Sequence, residues 1–254
     1  MKLYLDIGNT STKWCLASSV HKYGQCHNRE IIEHIGLLLN QNKVEYIFIS
    51  NVADPGLVEE VRQYSKSPQM TPSSWGVEII LAQVVNDFAG ISFISEYESE
   101  IGIDRWLAVL AAKASTVNSF CVIDFGTTIT LDAVSKEGIH IGGLIFPGAH
   151  LLPQSIINNT QIDQKIDTHM LTMFDASLAT STKEALVILP SKLLIPAIRN
   201  VITEFLKLQN EPIDVLITGR IEADAIPMLS DNARFFPNLV LQGLILYSKS
   251  YPVL

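Results

Sequence analysis

The chain has 254 residues, enough to bury a substantial core as one large domain or two of moderate size. Hydrophobic residues make up 48% and charged residues 17%, which excludes an intrinsically disordered chain. A formal net charge of −8 argues against a general nucleic-acid binder, which needs a basic surplus to neutralise phosphates, but leaves room for a nucleotide site built from local donors and a cation.

Three cysteines, Cys15, Cys26 and Cys121, lack CxxC spacing, so neither a disulfide framework nor a zinc site is expected. The N-terminus carries Asp6 inside its first apolar run, unlike a secretory signal, and no run of 18 apolar residues reads as a membrane span. The expectation is a cytoplasmic protein with neither a membrane nor a nucleic acid as partner.

In chain order, LYLDIGNTSTK at 3–13 reads as a strand ending near Asp6, a turn over Gly8, Asn9 and Thr10, and a returning strand. A Gly-containing turn with hydroxyls lets backbone N–H groups approach a phosphate, although the same residues also make an ordinary hairpin. Residues 21–30 are polar and read as a turn or irregular edge, and 30–39 has mixed helical spacing. VEYIFIS at 44–50 reads as a buried strand, 56–65 as a short helix entered after Pro55, 67–76 as a loop and 77–84 as a strand. Residues 86–100 are ambiguous between loop and strand.

GIDRWLAVLAAKAS at 102–115 is the clearest helix of the first half, with an acidic first turn. A strand pair follows at 120–134, then a strand into a turn at 138–148. Residues 149–160 and 180–207 read as helices interrupted by Pro153, Pro190 and Pro196. DVLITGR at 214–220 reads as a strand, EADAIPMLS as a short helix, and 237–250 as a closing strand and helix.

LYLDIGNTST at 3–12 and CVIDFGTTIT at 121–130 share an apolar run, Asp, one apolar residue, Gly, a further residue and Thr. A recurrence about one domain length away suggests two similar α/β halves, 1–115 and 116–254, each offering a carboxylate at a strand end towards a cleft.

Two carboxylates at Gly/Thr turns can grip a polyphosphate, because Mg2+ takes one or two carboxylates plus phosphate oxygens. Phosphoryl transfer then needs positioning, charge neutralisation and a proton acceptor. Lys13 can reach a phosphate or lie solvated on its strand. Asp104, in Gly102-Ile103-Asp104-Arg105, suits a proton acceptor beside a cation, or serves only as a favourable acid at a helix start. Thr218-Gly219 fits either a nucleoside lying against backbone or a plain strand-to-helix turn. There is no GxxxxGK[ST], no GxGxxG after the first strand, no GxSxG and no HExxH, which disfavours a P-loop kinase, a Rossmann dehydrogenase, an α/β-hydrolase and a zinc hydrolase.

Taken together and in order, Asp-x-Gly-Asn-Thr at 6–10, Gly-x-Asp-Arg at 102–105, Asp-x-Gly-Thr-Thr at 124–128, Gly-Gly-x-x-x-Pro-Gly at 142–148 and Thr-Gly at 218–219 resemble the type III pantothenate kinase family, which includes the Bvg accessory factor proteins. The resemblance implies an actin/hexokinase/Hsp70-like α/β fold: two ribonuclease H-like (actin-like ATPase) domains with a cleft between them. It implies ATP-dependent phosphorylation of pantothenate to 4'-phosphopantothenate, the first step of coenzyme A synthesis, by a homodimer needing Mg2+ and a monovalent cation (K+ or NH4+).

Carried over by position, Asp6, Ile7, Gly8, Asn9, Thr10, Ser11, Thr12 and Lys13 would hold the ATP phosphates, with Asp6 serving the metal and Thr127 touching ATP. Asp124 would bind the monovalent cation. Gly102, Ile103, Asp104 and Arg105 would line the pantothenate site, with Asp104 as proton acceptor, and Thr182 would contact substrate near the dimer interface. The chain departs from the family at Ser95 (a Tyr there, whose place at the substrate Tyr97, two positions on, would take), Ser181 (Asn), Leu189 (Gly) and Arg220 (Gly). The departures at Ser95, Leu189 and Arg220 motivate the rival reading of a non-catalytic regulatory or nucleotide-binding protein on the same scaffold. A kinase or phosphohydrolase with another acceptor is a third.

Overall fold

The computed structural model describes residues 1–66, 76–94, 100–163, 165–166 and 178–251. Along the chain run β1 (Lys2–Ile7), β2 (Ser11–Leu16), β3 (Gly24–His27), α1 (Ile31–Gln41), β4 (Tyr46–Asn51), α2 (Pro55–Ser65), β5 (Glu78–Leu81), β6 (Ser92–Phe93) and α3 (Ile103–Lys113). Then come β7 (Ser119–Phe125), β8 (Thr128–Val134), β9 (Ile139–Pro147), α4 (Leu151–Asn158), α5 (Thr182–Gln209), β10 (Ile213–Gly219), α6 (Ile226–Leu229), β11 (Ala233–Phe235) and α7 (Leu239–Tyr247).

The first sheet has the order β3-β2-β1-β4-β5, with β1 antiparallel to β2 and parallel to β4. Leu3, Leu5 and Ile7 alternate onto one face, where they meet Ile31, Ile35 and Leu39 of α1 and Val58 and Val61 of α2. Tyr4 points to the other face and stacks on Phe48, and α7 packs across β1 and β4 there. Lys2 Nζ donates to the carbonyl of Ser248 and the Tyr4 hydroxyl bonds the Ser248 hydroxyl, so both faces of β1 are fixed.

The second sheet runs β11-β10-β7-β8-β9-β6. With β6 set aside, its strands repeat the first order: an antiparallel three-strand meander (β7, β8, β9) plus two strands parallel to β7. Cys121, Ile123 and Phe125 of β7 pack with Leu194, Ile198, Ile202 and Phe205 of α5 in its core. The duplication suggested by the two Asp-x-Gly-x-Thr stretches is therefore a duplication of strand order.

Two compact units result. The first contains the described residues of 1–89, 95–111 and 239–254; the second contains 90–94 and 112–238. A single cut near residue 116 misses the return of α7 to the first unit, where the bare Cα of Gly243 lies against the Leu107 backbone. That contact joins distant segments and has no local signal.

Three segments differ from expectation. Residues 180–207 form one helix, since α5 runs through Pro190 and Pro196. Ser181 caps it by accepting from Glu184 N at 3.2 Å, and the buried stripe from Leu186 to Phe205 holds it against the sheet despite the missing N–H donors. This helix is long and apolar enough to cross a membrane by length and composition alone, but its apolar residues line the second core. Pro153 does not break α4, because it falls in the first turn, where N–H groups have no helical partner. The closing strand lies at β11, before 237, and 239–247 is helix alone. Residues 21–30 include an edge strand, β3, and 86–94 contribute only the short β6. The 67–76 loop reading falls almost wholly outside the described residues.

Candidate active site

In the first unit, Asp6 is the penultimate residue of β1. It lies opposite Lys13 on β2 and Ser50 on β4, and residues paired in this way carry side chains on one face of the sheet. Lys13 thus stands beside Asp6, with Trp14 on the opposite face against His34, ring centroids 5.1 Å apart.

The turn from Gly8 to Ser11 closes with Gly8 N donating to Ser11 O at 3.1 Å. Asn9 and Thr10 are exposed at its tip. Asn28, a residue the sequence motifs do not flag, braces the turn from behind. Its Nδ2 donates to Gly8 O at 2.7 Å, its Oδ1 accepts from the buried Thr12 hydroxyl at 2.9 Å, and its N–H donates to Thr10 O at 3.3 Å. Ser11 accepts from Gln25 Nε2 at 2.8 Å. The turn is thus held from outside by Asn28 and Gln25, which fixes its backbone before any ligand binds.

The N-terminus of α3 belongs to this unit. Val52 N donates to Ile7 O at the end of β1, and the Val52 side chain borders Gly102, so the β4 end links the Asp6 turn to Gly102-Ile103-Asp104-Arg105. Asp104 Oδ1 accepts from Arg105 N at 2.8 Å, which aims the carboxylate at the helix start. Arg105 is buried, an uncommon place for a guanidinium and a costly one without anionic or polar company. Trp106 stacks on Phe88 and Tyr247 and anchors α3 just beyond this pair.

In the second unit, Asp124 is the penultimate residue of β7, opposite Thr130 and Thr218. Gly126 N donates to Thr128 O at 3.0 Å, closing a turn that presents a half-buried Thr127. Two glycines close on it. A Cβ on Gly148 would overlap the Thr127 carbonyl, and one on Gly219, which has φ of +87°, would overlap the Phe125 carbonyl and Asp124 Oδ1. Arg220 N donates to Phe125 O at 2.7 Å, and its residue is exposed beside that junction. The Pro-Gly and Thr-Gly motifs therefore serve close backbone approach around Asp124 and Thr127.

Thr182 lies elsewhere in this unit, exposed as the first residue of α5 behind the Ser181 cap. Leu189 is half-buried on the same helix. Tyr97 and Ser95 lie outside the described residues. The structure thus gathers Asp6, Gly8 to Lys13 and Gly102 to Arg105 in one unit, and Asp124, Thr127, Gly148 and Gly219 in the other.

Among the described residues there is no group of three or more His, Cys, Asp or Glu that could hold a metal ion. A divalent cation that takes one carboxylate and completes its shell with phosphate oxygens and water fits this donor set; a closed structural site does not.

A family model described as type III pantothenate kinase matches residues 2–202. The type III pantothenate kinase of Alcanivorax borkumensis is 26% identical over 249 residues, covering 96% of this chain and 97% of that protein. Among solved structures, a Baf family protein from Campylobacter jejuni has a TM-score of 0.60 at 20% identity, over 97% of each chain. A protein from Sinorhizobium meliloti named for 2-dehydro-3-deoxygalactonokinase has a TM-score of 0.58 at 13% identity, over 100% of each. These two structural likenesses bear on fold alone, and they agree with the duplicated strand order: the fold is the two-domain actin-like one.

Proposed function

The chain belongs to the type III pantothenate kinase family, and we propose that the Asp6 turn and the start of α3 supply the phosphate and acceptor sides of that family's reaction. As a member, it is a kinase that transfers a phosphoryl group from ATP to pantothenate, the first step of coenzyme A synthesis. The observation that supports the assignment of roles is the placement of Asp6 and Asp104 in one unit, joined through Val52 and the β4 end.

In this reading the pantothenate hydroxyl oxygen attacks the γ-phosphorus, the bond to the β–γ bridging oxygen breaks, and ADP leaves. Asp104 takes the hydroxyl proton, held at the helix start by its bond from Arg105 N. Arg105 offers a fixed, permanently charged partner to the pantothenate carboxylate. The Gly8–Ser11 turn, with Thr10 and Lys13, binds ATP phosphates; Thr12, expected from the sequence to join them, instead braces the turn, because its buried hydroxyl donates to Asn28. Thr127 is a nucleotide contact in this reading.

Asp6 would hold Mg2+, and Asp124 a monovalent cation such as K+ or NH4+. A cation bound there supplies neutralisation of triphosphate charge. Thr182 would reach substrate in a homodimer, a reading supported by the exposed Ile141, Leu144 and Ile145 on β9. The net charge of −8 supports a small-molecule substrate rather than a nucleic acid, and a cytoplasmic setting accords with three cysteines that are all unpaired and buried.

An ATP-consumption assay across a panel of acceptors tests the reading. Turnover with pantothenate in Mg2+ and K+, and not with sugars or other alcohols, is the expected result. ATP binding without any acceptor-dependent turnover would overturn it.

A further inference from the structure

The β1–β4 ladder places Ser50 directly beside Asp6, on the same face of the sheet. Ser50 is fully buried, and its hydroxyl finds no hydrogen-bond partner among the described residues. Its strand neighbours Ile47, Phe48 and Ile49 are buried and apolar. Burying a hydroxyl without a partner is unfavourable, and alanine would fill nearly the same space at no such cost. The unmatched hydroxyl therefore points to a partner that arrives with a ligand.

The second half of the duplicated fold repeats the arrangement. Thr218 lies beside Asp124 in the parallel β7–β10 ladder and is 2% exposed. A hydroxyl next to the carboxylate on the parallel neighbour thus recurs in both halves, although the sequences around it, ISNV and ITGR, differ.

We infer that Ser50 is a positioning residue of the phosphate half-site. Its hydroxyl is the donor kept for an oxygen of the cation–triphosphate group that Asp6 holds. The ligand class is a nucleoside triphosphate with a divalent cation, and the inference rests on the reading of Asp6 given above.

The test uses the full chain with Mg2+ and a non-hydrolysable ATP analogue, read by calorimetry and thermal shift rather than by turnover. Ser50→Ala is expected to melt at or slightly above the wild-type temperature without ligand, because no internal bond is lost. It is expected to bind the Mg2+–analogue about tenfold more weakly, the scale of one hydrogen bond to a charged group. Ser50→Thr, which keeps the hydroxyl, is expected to restore most of that affinity. Unchanged binding by Ser50→Ala would overturn the inference, as would a loss of ligand-free stability, which would mark the hydroxyl as structural. Asp6→Ala in the same titration separates the two failures. If Asp6→Ala binds as the wild type does, the Asp6 reading falls; if it weakens binding while Ser50→Ala does not, only the role of Ser50 falls.

Discussion

Asp6 and Asp124 are each the penultimate residue of the strand that begins a three-strand meander, each sits beside a hydroxyl residue on the parallel neighbour, and each precedes a turn closed by a glycine N–H. The two turns are not identical. The first closes from Gly8 to Ser11 and the second, one residue tighter, from Gly126 to Thr128. A longer first turn exposes Asn9 and Thr10, which suits a loop that wraps phosphates; the tighter second turn is overlaid by Gly148 and Gly219.

That overlay makes Gly219 the most sensitive backbone position near Asp124. Gly219→Ala must leave the left-handed region or displace the Phe125 carbonyl and the Asp124 carboxylate. A loss of about 1–3 kcal/mol is expected, together with weaker ATP binding, while pantothenate binding changes less. Thermal melting and nucleotide titration check this, and an Ala variant with wild-type ATP affinity would contradict it.

Asn28 is expected to matter to the nucleotide through the turn that it braces. Asn28→Ala removes both the donor to Gly8 O and the acceptor for Thr12. Leaving the buried Thr12 hydroxyl unmatched costs about 1–3 kcal/mol, and loosening the turn should raise the KM for ATP more than that for pantothenate. Equal changes in both constants would argue against a bracing role for Asn28.

The three cysteines are expected to be inert in the native state. Burial pushes the Cys15 thiol up to about 11 and raises Cys26 and Cys121 as well. Since the thiolate is the reactive form, a thiol reagent at neutral pH should label none of them until denaturant is added. Fast native labelling of any one would show that its environment opens.

Much of this fold was readable from the sequence because its signals are local. Strand, Asp, Gly and Thr lie within ten residues, so the hairpins at β1–β2 and β7–β8 and their kinship could be seen directly. The Gly-x-Asp-Arg helix start was equally plain. Three kinds of feature were not. Asn28 and Ser50 acquire their places beside Gly8 and Asp6 from contacts between strands and segments apart in sequence. The docking of α7 on α3 through Gly243 depends on a contact between distant segments. The continuity of α5 through Pro190 and Pro196 reflects burial of its apolar stripe, which outweighs two lost backbone bonds. Ser181 caps α5, a task that Asn performs equally well.

The division of labour between Asp6 and Asp104 is tested most directly by following formation of phosphorylated pantothenate from ATP, Mg2+ and K+ by wild type and Asp104→Ala, with nucleotide binding measured in parallel. The account predicts product from the wild type. It predicts a fall of about 10²–10⁴-fold in turnover for the variant, the usual contribution of a positioned proton acceptor, with ATP affinity kept and stability lowered by no more than about 1 kcal/mol from the lost helix-start charge. Wild-type turnover in Asp104→Ala would contradict it.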